Sequence, residues 1–214
     1  MKTKLLLLLS LVSGFAFAQT DTTSKFYAAM KKQVAIIDTA FSLPSLQLAY
    51  NGFERISNAE KKEWLPPYYM AYCLITESYL DEVNKTDNYC DQATKLLDRA
   101  DSLSPNNCEI CVLRSLCASA RIRVNPMTRG AKFGKESGEW LGKAKGIDSL
   151  NPRISLLQGQ GLFYTPAAFG GGKDKAKPVL EDALKKYDAF KPASGIHPHW
   201  GRFRAEMLLK ECDK

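Results

Sequence analysis

The stretch AKPVLEDALKKY, residues 176–187, places Ala176, Val179, Leu180, Ala183, Leu184 and Tyr187 at i, i+3, i+4, i+7, i+8 and i+11. That spacing gathers all six on one face of an α-helix. Read in order, the face runs small, large-large, small. The same order recurs in ATKLLDRADSL, residues 93–103, as Ala93, Leu96, Leu97 and Ala100, and in SGEWLGKAKGI, residues 137–147, as Ser137, Trp140, Leu141 and Ala144. A looser copy in LAYNGFERI, residues 48–56, offers Ala49, Gly52, Phe53 and Ile56. The small first positions are 44, 44 and 39 residues apart, which is a repeat period.

A small residue once per repeat lets a neighbouring helix approach closely, and the large pair fills the space between helices. Such a unit buries little by itself and must stack on its neighbours. Between the copies lie further apolar helical stretches, at about 64–83, 107–124 and 152–165, so each unit reads as a helix hairpin. Turn signals fall at Ser104-Pro105-Asn106-Asn107 and Leu150-Asn151-Pro152. No segment alternates β-branched residues between tight turns. The expectation is an all-α solenoid of about four helix hairpins over residues 44–214. It would be preceded by a helical segment at 19–43 and closed by a capping helix in HPHWGRFRAEMLLKECDK, with Pro198 in its first turn and Trp200, Phe203 and Met207 on its inner face.

The alternation resembles the tetratricopeptide repeat, with alanines on the second helix and a proline or asparagine turn after it, at a longer period than that family uses. Three stretches carry a narrower likeness: NPMTRGAKFGKESGEWLGKAKGIDSLNPR, GQGLFYTPAAFGGGKDKAKPVLEDAL and HPHWGRFRAEMLL. Together they resemble exported tetratricopeptide-like proteins of the Bacteroidota, a group that implies a fold and brings no catalytic residues with it. The Phe-Gly-Gly turn before a helix is also similar to the tetratricopeptide-like periplasmic component of tripartite solute transporters.

Lys2 and Lys4, the apolar run Leu5 to Val12 and the small-x-small Ala16-Phe17-Ala18 form a secretory signal over residues 1–18, with the mature chain starting near Gln19. The run is shorter than the roughly 20 residues of a membrane span, and no later segment approaches that length. A periplasmic or secreted protein without a membrane segment is therefore expected. The formal charge of +7 falls to +5 once Lys2 and Lys4 are removed and is dispersed among many Lys and Glu. Dispersed charge on an exported chain reads as a solvated surface and excludes a nucleic-acid partner.

Three features invite a chemical reading. Gly170, Gly171 and Gly172 precede Lys173, but a P-loop needs a glycine where Ala167 stands, Ser or Thr where Asp174 stands and a strand before it. The glycines are instead expected to turn a corner between two helices, with Asp174 near the second helix's start and Pro178 in its opening turn. Cys108 and Cys111 lack the βαβ frame of a thioredoxin and a second ligand pair for zinc. His197 and His199 flank Pro198 with no cysteine or carboxylate beside them, which favours packing over metal binding. With no Gly-x-Ser-x-Gly elbow either, the chain is expected to be non-catalytic and to hold no cofactor or metal.

Six cysteines, at 73, 90, 108, 111, 117 and 212, follow the signal and favour structural disulfides in an oxidising compartment. If residues 88–103 and 107–124 run antiparallel, Cys90 comes level with Cys117, which makes them the candidate bridge, although six cysteines allow about 15 pairings. The expected function is a scaffold that holds a protein or peptide of the envelope along a concave face. The alternative is a small-ligand or solute-binding component with a pocket near Tyr164, Phe169, Lys173 and Trp200.

Overall fold

The computed structural model describes residues 14–40 and 42–214, so most of the expected export signal lies outside the described residues. The described chain is all-helical: α1 (Gly14–Ile37), α2 (Leu43–Ala59), α3 (Leu65–Leu80), α4 (Thr86–Leu103), α5 (Cys108–Ile122), α6 (Pro126–Ile147), α7 (Pro152–Tyr164), α8 (Lys173–Ala189) and α9 (Arg202–Cys212). Consecutive helices pack as the antiparallel hairpins α1/α2, α3/α4, α5/α6 and α7/α8, and α9 closes the stack against α7 and α8. The helices α3, α5 and α7 also touch in succession and form an inner layer, with α4, α6 and α8 outside.

The repeat falls on the outer helices. Ala93, Ala100, Ala144, Ala176 and Ala183 have no exposed surface, and the second member of each large pair, Leu97, Leu141 or Leu180, is buried. The first members, Leu96, Trp140 and Val179, are half-buried along the seam. Ser137, the one polar residue in a small position, meets the hydroxyls of Ser115 and Ser119 on α5 at 2.7 and 3.0 Å. Closeness has the expected cause at Gly159 of α7, where an added Cβ would stand 2.7 Å from a Leu180 methyl.

Caps appear where the turn signals predict them. Asn107 accepts from the Glu109 amide at 2.9 Å and Asn151 from the Arg153 amide at 3.1 Å, with Pro152 opening α7. The glycine run turns a corner: Gly170 and Gly172 have φ of +89° and +112°, and the Gly172 amide bonds back to Leu162 O at 2.9 Å. Two details differ from expectation. Pro178 sits inside α8, one turn beyond its start, because the helix begins directly at Lys173.

The second difference is larger. The closing helix starts at Arg202, so Pro198 and Trp200 precede it, and it buries Ala205 and Leu208 while Phe203 and Met207 stay 65% and 44% exposed. The aromatic spacing pointed to the wrong face because residues 190–201 already fill the space that the larger side chains would have occupied. That segment leaves α8 and crosses the inner layer. Tyr69 donates to Ile196 O and Tyr187 to Trp200 O, both at 3.0 Å, while Trp200 Nε1 donates to the Tyr68 hydroxyl at 2.9 Å.

Candidate functional site

The inner layer has a closed end and an open end. At the closed end Glu109 of α5 receives Arg153 of α7 at two points and the Asn151 amide at 2.6 Å. The rings of Phe190 and Trp200 lie 4.7 and 5.6 Å from the Arg153 guanidinium, and Tyr72 lies 5.0 Å from Trp200. Desolvation, with Glu109 adding to it, pushes the Tyr68 phenol well above its ordinary value.

Tyr72, Thr76 and Tyr79 of α3 stand at i, i+4 and i+7, half-buried on one face that runs from the closed end at Tyr72 to the open end at Tyr79. Tyr79 donates to Leu116 O at 3.4 Å, and the Arg123 guanidinium lies 4.9 Å from its ring while donating to Ser78 O at 2.6 Å. Burial drives the Tyr79 phenol above its ordinary range, with Cys90 adding to the rise and Arg123 opposing it. Arg204 donates to the Tyr164 hydroxyl at 2.7 Å and to Gln160 at 3.2 Å. Among the described residues neither Arg123 nor Arg204 is paired with a carboxylate. Two tyrosine–arginine pairs thus stand out, Tyr79 with Arg123 and Tyr164 with Arg204, and each guanidinium bonds only neutral oxygens.

Of the residues singled out from sequence, Tyr164 and Phe169 are 61% and 71% exposed. Tyr164 packs edge-on to Phe163, whose ring lies 6.0 Å from the Lys173 ammonium. Trp200 does not join them, being held at the closed end. Arg123, Arg204 and Tyr79 escaped sequence reading, although the Tyr72–Tyr79 spacing marks a helix face.

Half-open clefts lie elsewhere among the described residues. A cleft of about 330 Å³ between α4 and α6 holds Phe133 and Trp140, with Arg114 and Arg121 at its walls. Its arginines are already matched: Arg114 meets Asp98 at 2.8 Å and Arg121 meets Asp91 at 2.7 Å. Its rings are covered too, Trp140 by Arg114 and Lys143, Phe133 by Lys132. A cavity of about 310 Å³ is lined by Trp64, Phe190, Lys191 and His197 beside Glu109 and Asp148. His197 Nδ1 meets Ser194 Oγ at 2.8 Å, and burial lowers its pKa. Both nitrogens of His199 are engaged, with His197 O at 2.9 Å and Asp38 at 3.1 Å. Among the described residues no three His, Cys, Asp or Glu side chains converge as a metal site, and no helix is long and apolar enough to cross a membrane.

No family model matches the chain, and no curated protein matches it either. Among solved structures, the HusA haemophore from Porphyromonas gingivalis superposes with a TM-score of 0.79 at 38% identity, covering 87% of this chain and 92% of that one. That relative is a binding protein and not an enzyme, and the same holds here. With this identity sustained over nearly all of both chains, the protein belongs to the family of the HusA haemophore.

Proposed function

We propose that this protein is an exported haem carrier that holds the porphyrin on the open end of its inner layer. One observation carries the reading: 38% identity across 92% of the length of a haemophore. A surface that Tyr79, Tyr164, Arg123 and Arg204 would form between α3 and α9 fits that ligand chemically. Haem is a flat apolar ring with two carboxylates at one edge, so it calls for aromatic faces and cations without competing anions. Tyr79 and Tyr164 supply the first, and Arg123 and Arg204 the second. The cleft at Trp140 offers arginines already neutralised by aspartates, and the cavity at His197 is bordered by Glu109 and Asp148.

A peptide-holding scaffold is less favoured, because residues 190–201 occupy one end of the inner layer and leave a short strip in place of a continuous groove. A small flat ligand suits what remains. The export signal at residues 1–18 and a mature chain of a helical segment, 19–43, followed by the repeat domain, 44–214, agree with a carrier working beyond the cytoplasmic membrane.

Haem titration followed by visible absorption tests this. The wild-type protein should saturate, and Arg123→Ala and Arg204→Ala should each weaken binding roughly tenfold or more, the worth of a charge-assisted contact. His197→Ala should leave the spectrum and affinity unchanged. An absence of any spectral change would overturn the haem reading, and sensitivity to His197→Ala with none at the two arginines would move the site to the cavity at Trp64.

A further inference from the structure

Cys90 of α4 and Cys117 of α5 are both buried, and each thiol reaches the other's backbone: Cys90 Sγ lies 3.7 Å from Cys117 O, and Cys117 Sγ lies 3.7 Å from Cys90 O. Two reciprocal contacts of this kind set the two residues against each other across the α4/α5 seam, the proximity a disulfide requires. The other four thiols are placed singly or along one helix. Cys108 and Cys111 follow each other on α5, Cys108 Sγ standing 4.0 Å from Asp148 O, while Cys73 is buried in α3 and Cys212 ends α9.

We propose that Cys90 and Cys117 form a disulfide that staples the α3/α4 hairpin to the α5/α6 hairpin. All six cysteines are thiols in the structure, so the bond requires an oxidant, namely the disulfide of a thiol–disulfide oxidase or of oxidised glutathione. The thiolate of one cysteine attacks that disulfide, a mixed disulfide forms, and one thiol of the oxidant leaves. The second cysteine then attacks the protein sulfur of the mixed disulfide, the Cys90–Cys117 bond closes, and the second thiol departs. The protein loses two electrons and two protons, and the oxidant's disulfide is reduced to two thiols. Because both sulfurs end up buried, closure belongs to the stage at which α4 docks on α5.

The test refolds the reduced full chain from urea in a glutathione redox buffer, then alkylates under denaturing conditions and maps the peptides. Four of the six thiols should react before reduction and all six after it, with the mapped bond joining Cys90 to Cys117. Reducing the bond should lower Tm by about 6–12 °C. In Cys90→Ser, Cys117 should become alkylatable and the dependence of Tm on reductant should vanish, whereas Cys73→Ser should retain both the bond and that dependence. Six thiols reactive before reduction, glutathione adducts with no internal bond, or a bond joining another pair would each overturn the proposal. None of these readings depends on whether haem binds.

Discussion

Arg153 and Glu109 meet as a two-point ion pair between α7 and α5, with Arg153 Nε donating to Glu109 Oε2 at 2.8 Å and Nη2 donating to Oε1. The Arg153 side chain has no exposed surface, and the rings of Phe190 and Trp200 sandwich it. Removing the carboxylate leaves a buried cation without its counter-charge, so Glu109→Ala should cost about 3–5 kcal/mol. Replacing both partners together, as Glu109→Leu with Arg153→Met, should recover much of that loss, because neither charge then remains to be desolvated. Urea midpoints of the two variants and the wild type decide it: a double variant as unstable as Glu109→Ala would show that the pair acts through packing alone.

Equivalence of the repeats can be tested at their small positions. Ala100, Ala144 and Ala183 close the pattern in successive copies and have no exposed surface. Leucine at any of them should overpack the seam and cost about 1–3 kcal/mol, by similar amounts in all three. Alanine at the neighbouring exposed Lys145 should change stability by less than about 0.5 kcal/mol. Thermal melts that tolerated leucine at one of the three would remove that helix from the repeat.

Glu77 makes stability depend on pH. It is 3% exposed and its Oε1 has no hydrogen-bond partner. Burial, reinforced by Asp81, lifts its carboxyl from 4.5 to about 7. The folded state therefore holds a proton that the unfolded chain has released, and the associated stability is complete below about pH 4.5 and lost as pH rises through 7. The loss amounts to at most about 3 kcal/mol. Glu77→Gln should flatten the dependence and be the more stable protein at pH 8. Parallel urea curves for the two proteins at acid and alkaline pH would contradict this.

Outer helix α6 carries more glycine than its conformation needs. A Cβ added at Gly138 or Gly142 would meet nothing within 4 Å, and both positions are exposed. Alanine at either should stabilise the protein by about 0.5–1 kcal/mol through the lower entropy of the unfolded chain. Calorimetry should show Tm rising by roughly 2–4 °C per kcal/mol. A fall in Tm would mean that the bare backbone there is needed by something that touches α6.

The architecture was legible because its signal is local and periodic. Ala93, Leu97 and Ala100 report one helix face through spacing alone, and Asn107 and Asn151 mark helix starts through their own side-chain chemistry. The closing helix misled for the converse reason. Phe203 and Met207 outrank Ala205 and Leu208 in size, and what decides which pair is buried is the path of residues 190–201, fixed by contacts with Tyr68 and Tyr69 more than 120 positions away. The candidate site was less legible. Tyr164 and Lys173 stand out in sequence as an aromatic and a cation near a turn, but the contact of Tyr79 with Arg123 joins α3 to the end of α5 in a way no spacing rule connects.

The crossing of residues 190–201 has a mechanical consequence. Stacked repeats feel only their neighbours and ordinarily fray from either end. Here Tyr69 of α3 holds Ile196, and Asp38 just past α1 meets His199, so the segment ahead of the closing helix is strapped to the first half of the chain. A ladder with such a strap does not come apart rung by rung. The inner layer should open as a unit, and amide exchange should report one shared opening event there where an untied array would show a gradient from the tips inward.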